Sequence, residues 1–127
     1  TKVNIDGNLY IMEYLTQTFA ALADPTRLSI VVHLARREAT VSELVDKFDL
    51  TQPTITSHLK VLESVGLITR TRIGQSRPAQ LAFDRFDEIT KWIEQVQKVW
   101  ESNYQRLDAV LAEMKLTKKK TKRKRKK

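Results

Sequence analysis

Cysteine is missing from this sequence altogether, and glycine and proline occur three times each in 127 residues. Without a thiol the chain forms no disulfide, no thiolate metal site and no thiol redox switch. So little Gly and Pro, beside 41% hydrophobic and 30% charged residues, excludes collagen-like and low-complexity classes and points to a helix-rich globular domain. No apolar run approaches the roughly 20 residues that cross a bilayer. The first residues also lack the basic-then-apolar pattern of a secretory signal. A cytoplasmic protein with no membrane partner is therefore expected. Histidine is scarce too, with only His33 and His58. No pair of carboxylates stands with a nucleophile or a histidine in a pattern that suggests catalysis, so no enzyme activity and no cofactor are expected.

What is abundant is positive charge, but it is unevenly placed. The formal net charge is +8, from 23 Lys and Arg against 15 Asp and Glu. Nine of the 23 lie in residues 118–127, which leaves 14 basic against 15 acidic residues before them. The body is thus close to neutral, and residues 117–127 read as a disordered basic tail following a domain of residues 1–116. Bulk charge is no argument for a groove-binding surface on that domain. The argument has to come from the pattern within it.

Residues 1–7 read as a frayed lead-in. Leu9, Met12, Leu15, Phe19 and Leu22 then fall at helical spacing and predict a first helix ending near Ala23. Asp24 followed by Pro25 is a cap and first-turn pair for a second helix, whose apolar positions are Leu28, Val31, Val32, Leu34 and Ala35. Thr40-Val41 suggests a very short strand, and Ser42 a cap for a third helix that buries Leu44, Val45 and Phe48. After the turn at Asp49-Leu50, Thr51 caps a fourth helix with Pro53 in its first turn, and Gly66 ends it in a left-handed conformation. A β-branched run over 67–73, a turn over 74–78 and a return strand over 79–83 make a hairpin. In the last helix, Phe86, Ile89, Ile93, Val96, Trp100, Leu107, Val110 and Met114 follow alternating steps of three and four, with Asn103 in the one polar slot. This dimerisation-type helix spans about 86–115. Asn103 is either a surface residue at a break in the seam or a pair across a dimer that sets register.

Two short helices joined by a tight turn, the second opening on small polar residues, form a helix-turn-helix over about 41–65. Gln52, Thr54, Ser57 and His58 are the candidate base readers, since Gln pairs with an adenine edge and Ser, Thr and His reach bases or phosphates. Thr51, Thr56 and Lys60 suit phosphates, as do Arg70, Arg72 and Arg77 on the hairpin beside the reading helix. His58 as a metal ligand lacks partner ligands. Trp92 and Trp100 on a helical stripe fit a core or an interface better than a ligand pocket.

The string Phe19-Ala20-Ala21-Leu22-Ala23-Asp24-Pro25-Thr26-Arg27-Leu28 precedes Thr51-Gln52-Pro53-Thr54-Ile55-Thr56-Ser57-His58-Leu59-Lys60-Val61-Leu62 and then Gly66-Leu67-Ile68. Together these closely resemble the ArsR/SmtB family of repressors, over roughly residues 9–83. The resemblance implies a mainly α winged helix-turn-helix with a small β-hairpin wing, bound to double-stranded DNA at an inverted-repeat operator. It also implies a homodimer through the first and last helices, on which Leu15, Phe19, Ile89, Trp92, Ile93, Val96, Trp100 and Leu107 would form the interface. The long tryptophan-bearing last helix is similar to that of the metal-independent autorepressors. The thiols and late histidines that serve as metal sensors in other members are absent here. Two further readings stay open: a chromosome-coating protein driven by the basic tail, and a regulator holding a small-molecule inducer between its first and last helices.

Overall fold

The computed structural model describes residues 9–125, so the expected lead-in over residues 1–7 and the last two lysines of the tail lie outside it. The elements run α1 (Leu9–Leu22), α2 (Pro25–Arg36), α3 (Val41–Phe48), α4 (Gln52–Ser64), β1 (Ile68–Arg70), β2 (Ala79–Leu81) and α5 (Phe83–Arg125). They divide into two compact units, residues 1–88 and residues 89–127. The division falls inside the last helix rather than at residue 116. The segment 117–125, expected to be disordered, is the end of that helix. Lys and Arg are good helix formers, and a helix already propagating extends through them at no nucleation cost.

In the first unit, local chemistry sets the helix boundaries. Asp24 stands in extended conformation before Pro25 and accepts from the Arg27 backbone N–H at 3.0 Å. Thr40, not Ser42, caps α3: its hydroxyl accepts from the Glu43 N–H at 3.2 Å, and Ser42 lies within the helix. The strand expected at Thr40-Val41 is a single bridge one residue earlier. There, Ala39 exchanges hydrogen bonds of 3.1 and 2.7 Å with Ala79. Thr51 caps α4, accepting from the Thr54 N–H. At the other end of α4, Gly66 takes φ +77, its N–H donates to Glu63 O, and the Leu67 N–H donates to Leu62 O. This pair of bonds is the Schellman arrangement, which needs a left-handed residue at Gly66.

The core is built from Leu15, Ala21, Ile30, Leu34, Leu44, Ile55, Leu59, Leu62, Leu67 and Ile68. In α2 the buried face is Ile30 with Leu34, whereas Leu28 and Val32, expected inside, are exposed. Six apolar residues in eight positions offer more than one stripe. The i, i+4 pair that meets α1, α4 and β2 is the one buried. His33 is half-buried and sets its ring edge-on to Phe48 of α3 at 6.1 Å. Thr18, a fully buried polar residue in this core, donates its hydroxyl to Tyr14 O at 2.9 Å.

β1 and β2 pair antiparallel, with Ile68 opposite Leu81 and Arg70 opposite Ala79. The strands are shorter than expected, three residues each. The ladder stops at Arg70 and resumes only at the tip, where Ile73 and Ser76 exchange bonds of 2.7 and 3.0 Å around Gly74 (φ +62). No helix among the described residues is long and apolar enough to cross a membrane.

The turn between α3 and α4 depends on Asp49, which caps α3 in the left-handed region at φ 53, ψ 47. Asp tolerates this conformation through its short polar side chain, and a β-branched residue does not. Asp49→Val is expected to lower unfolding free energy by about 1–2 kcal/mol and Asp49→Gly to leave it unchanged or slightly raised. Urea titrations of the two variants would check this.

Candidate nucleic-acid interface

α4 is held by one face. Ile55, Leu59 and Leu62, spaced four and three residues apart, are buried against the rest of the first unit. The opposite face therefore looks outward, and it carries Ser57 and Lys60, three residues apart, with Gln52 exposed in the first turn. Of the remaining expected contacts, Thr51 is exposed, while Thr54 and Thr56 are half-buried. The Thr51 and Thr54 hydroxyls lie 2.8 Å apart and bond to each other, so the start of α4 is braced by its own side chains.

His58 is the residue whose placement differs most from its expected role. Its side chain is only 18% exposed, and Nδ1 lies 3.2 Å from Arg27 Nη1 and 4.0 Å from Asp24 Oδ2. A guanidinium can only donate, so in the neutral ring Nδ1 accepts and Nε2 carries the proton. His58 is thereby turned toward α2, on the flank of α4 between its buried and outward faces. Arg27 makes two further ties. Its Nε donates to Ala21 O at the end of α1, and its backbone N–H donates to the Asp24 cap. One side chain thus joins the α1–α2 corner to the middle of α4.

The wing carries its three arginines in different ways. Arg70 donates from Nε and Nη2 to Arg77 O at 3.3 and 3.0 Å, closing the gap in the ladder. Arg72 donates to Gly74 O at 3.1 Å. Both keep spare N–H donors, and Arg77 is exposed. Behind the wing, Gln80 bonds Glu38.

Two sets of residues were not visible as contributors in the sequence. Asp24 reads there as a cap, but its carboxylate also faces Arg27 and His58. Tyr14 reads as an ordinary helix residue, yet its hydroxyl reaches Val65 O at the end of α4 at 3.5 Å, and the Arg85 guanidinium sits 4.8 Å from its ring centre. For Asp24 the signal was the Asp-Pro-Thr-Arg string, which places a guanidinium three residues from the carboxylate; for Tyr14 there was none.

Of the residues expected at a dimer interface, Leu15 is 4% exposed and Ile89 8%, so both are already buried in one copy and present little surface to a second. Phe19, Ile93, Val96, Trp100 and Leu107 are exposed, and Trp92 is half-buried. Among the described residues no group of three or more His, Asp or Glu stands close enough to hold a metal ion.

Comparison with known proteins places this arrangement. Residues 24–70 match the family described as bacterial regulatory protein, arsR family. A transcriptional repressor of the SmtB type from Mycobacterium tuberculosis is 36% identical over 72 residues, 57% of this chain and 53% of its own length. The match thus spans about half of that repressor. An uncharacterized HTH-type transcriptional regulator of Methanocaldococcus jannaschii is 32% identical over 85 residues, 66% of this chain and 96% of its own. The crystal structure of an ArsR family transcriptional regulator superposes with a TM-score of 0.64 at 36% identity, covering 69% of this chain and 97% of the other.

The Asp24 carboxyl is held below its ordinary value near 3.8, chiefly by the Arg27 backbone N–H and further by the Arg27 and His58 charges, with partial burial opposing. A depressed folded value means that the ionised cap stabilises the fold at every pH above about 3.8. That stabilisation is lost as pH falls through the folded value. Asn is also a good cap and does not titrate. The wild type is therefore expected to lose stability more steeply than Asp24→Asn on acidification below pH 4, in urea titrations run as a pH series. Parallel curves would remove this cap from the acid response.

Proposed function

The chain belongs to the arsR family of bacterial regulatory proteins, and on that premise we propose that it is a sequence-specific repressor that binds double-stranded DNA as a homodimer at an inverted-repeat operator, without a metal sensor. The observation that carries this reading is the exposed surface of α4, which presents Ser57 and Lys60 on its outward face and Gln52 in its first turn while Ile55, Leu59 and Leu62 lock the helix to the body. A helix held this way inserts into the major groove as a rigid body, and the wing arginines reach the flanking phosphates.

Within this reading Gln52 and Ser57 contact base edges, and Thr54 reads bases only through the rim of its half-buried side chain. Thr51, Thr56 and Lys60 meet phosphates. His58 acts by positioning: it fixes α4 against Arg27 and offers Nε2–H at the margin. The metal-free reading rests on the absence of any thiol in the chain and of any histidine after His58. The basic segment 117–127 adds affinity for any DNA through counterion release, because the rest of the chain is close to neutral. Two-fold symmetry places the two α4 helices in successive major grooves, about one helical turn apart.

Gln52→Ala and Ser57→Ala are each expected to weaken binding to a selected operator by about 1–3 kcal/mol and to leave binding to random duplex nearly unchanged. Equal losses on both duplexes would show that these residues do not read bases. Removing residues 118–127 is expected to flatten the dependence of binding on salt for both duplexes while preserving the preference for operator. Little preference between the duplexes, with a steep salt dependence that collapses once residues 118–127 are removed, would instead favour a chromosome-coating protein.

A further inference from the structure

Asp24, Arg27 and His58 meet on the flank of α4, beside its outward face. We propose that proton uptake by His58 exchanges Arg27 for Asp24 as its partner and thereby weakens operator binding, so that acidification relieves repression. The inference rests on the reading of α4 as the helix that enters the groove, and adds to it a signal that acts through the same helix.

The exchange follows from what each group can donate. In the neutral ring Nδ1 is an acceptor, and the Arg27 guanidinium 3.2 Å away donates to it. A protonated ring has N–H donors on both nitrogens, and a guanidinium has no acceptor to offer. Two donors, each on a cation, would then stand at hydrogen-bond distance, so this contact opens. The same Nδ1 lies 4.0 Å from Asp24 Oδ2, too far for a hydrogen bond in the neutral state. A charge-assisted N–H···O bond closes to about 2.7–2.9 Å, which draws the protonated ring by about 1 Å toward the cap of α2. Asp24 is ready to accept. Its carboxyl is held below its ordinary value, chiefly by the Arg27 backbone N–H, and stays ionised throughout the range in which histidines titrate.

Arg27 does not follow the ring, because its Nε is bonded to Ala21 O and its backbone N–H to Asp24. The adjustment therefore falls on the flank of α4. The residue just before His58 is Ser57, exposed and one of the proposed base readers. Hydrogen bonds to a base edge weaken steeply with misalignment, so a shift of this size is felt in recognition. No other charge takes part. α1, α3 and β1 also pack against α4 and carry Glu13, Glu43, Asp46, Lys47 and Arg70, none of which forms an ion pair or hydrogen bond with His58. On α4 itself Lys60 and Glu63 stand two and five positions along, off the spacings of three and four that bring helix side chains together.

With no cysteine and only two histidines in the chain, few side chains change charge between about pH 8 and about pH 5. The test follows binding of the full chain to a selected operator and to a random duplex across that range, at constant ionic strength. The wild type is expected to lose about tenfold in operator affinity, within the range typical of coupled sites, while binding to the random duplex does not fall. His58→Asn sets an amide oxygen near the place of Nδ1 and does not titrate, so its operator affinity is expected to be the same at both ends of the range. His33→Gln removes the other histidine, which lies edge-on to Phe48, and is expected to keep the wild-type loss. In Asp24→Asn the protonated ring lacks its anionic partner, and the midpoint of the loss is expected to move to lower pH. An operator affinity that is flat or rises on acidification overturns the proposal and leaves the repressor reading standing. So does a loss that His58→Asn retains, that His33→Gln abolishes, that keeps its midpoint in Asp24→Asn, or that accompanies unfolding by circular dichroism. No preference for operator at pH 8 overturns the repressor reading and this inference together.

Discussion

Ile55, Leu59 and Leu62 are almost wholly withdrawn from water, and their spacing fixes α4 about its own axis as well as against the body. Truncating any one of them would cost about 2–5 kcal/mol, a large share of what a small domain has. The rest of the structure is arranged around that constraint. The left-handed turn at Asp49 sets where α4 begins, and the Schellman bonds at Gly66 set where it stops. Which residues look outward is a consequence of which three look in. In the proposed complex, an α4 free to roll by a fraction of a turn would present a different set of donors to a base edge, so its rigidity is part of the proposed recognition.

Electrostatics enters at two ranges. At short range, Asp24, Arg27 and His58 connect the α1–α2 corner to α4 through groups that are half-buried, where hydrogen bonds are less screened than at the surface. Arg27 is the centre of this cluster because its planar fork serves Ala21 O and His58 at once, which an ammonium could not do in the same geometry. At long range, the charge of the chain is concentrated at one end. In the proposed function the near-neutral body binds DNA through placed contacts, and the basic end supplies a salt-sensitive attraction that acts before those contacts form.

The second unit, residues 89–127, is a helix whose exposed apolar residues outnumber its buried ones. Isolated helices are marginal in water, and most helical stability in proteins comes from packing an apolar face. In the proposed homodimer a partner of the same kind supplies that packing and, with it, the two-fold symmetry that an inverted-repeat operator would require.

Much was legible in the sequence because it rests on local chemistry. Asp24-Pro25, Thr51 with Pro53, and Gly66 mark helix boundaries through caps and backbone conformation that need only near neighbours. The hairpin and α4 followed from the same signals, as did the long last helix. Other features were decided by tertiary structure. Ser42 and Thr40 are equally good caps in isolation, and the bridge from Ala39 to Ala79 selects Thr40. In α2 several stripes compete, and contact with α4 and β2 buries Ile30 and Leu34 in place of Leu28 and Val32. Leu15 lies on the same helical stripe as Phe19, but only the packed core shows that it is already covered. His58 sits on the flank of α4, where helical periodicity leaves inward and outward equally open. The Arg27 guanidinium, 31 residues away in sequence, turns it inward. Sequence thus determined which segments are helices and where they stop, because caps and turns act over three or four residues. The fold alone decided which flank positions face water, because that depends on partners the local chain cannot specify.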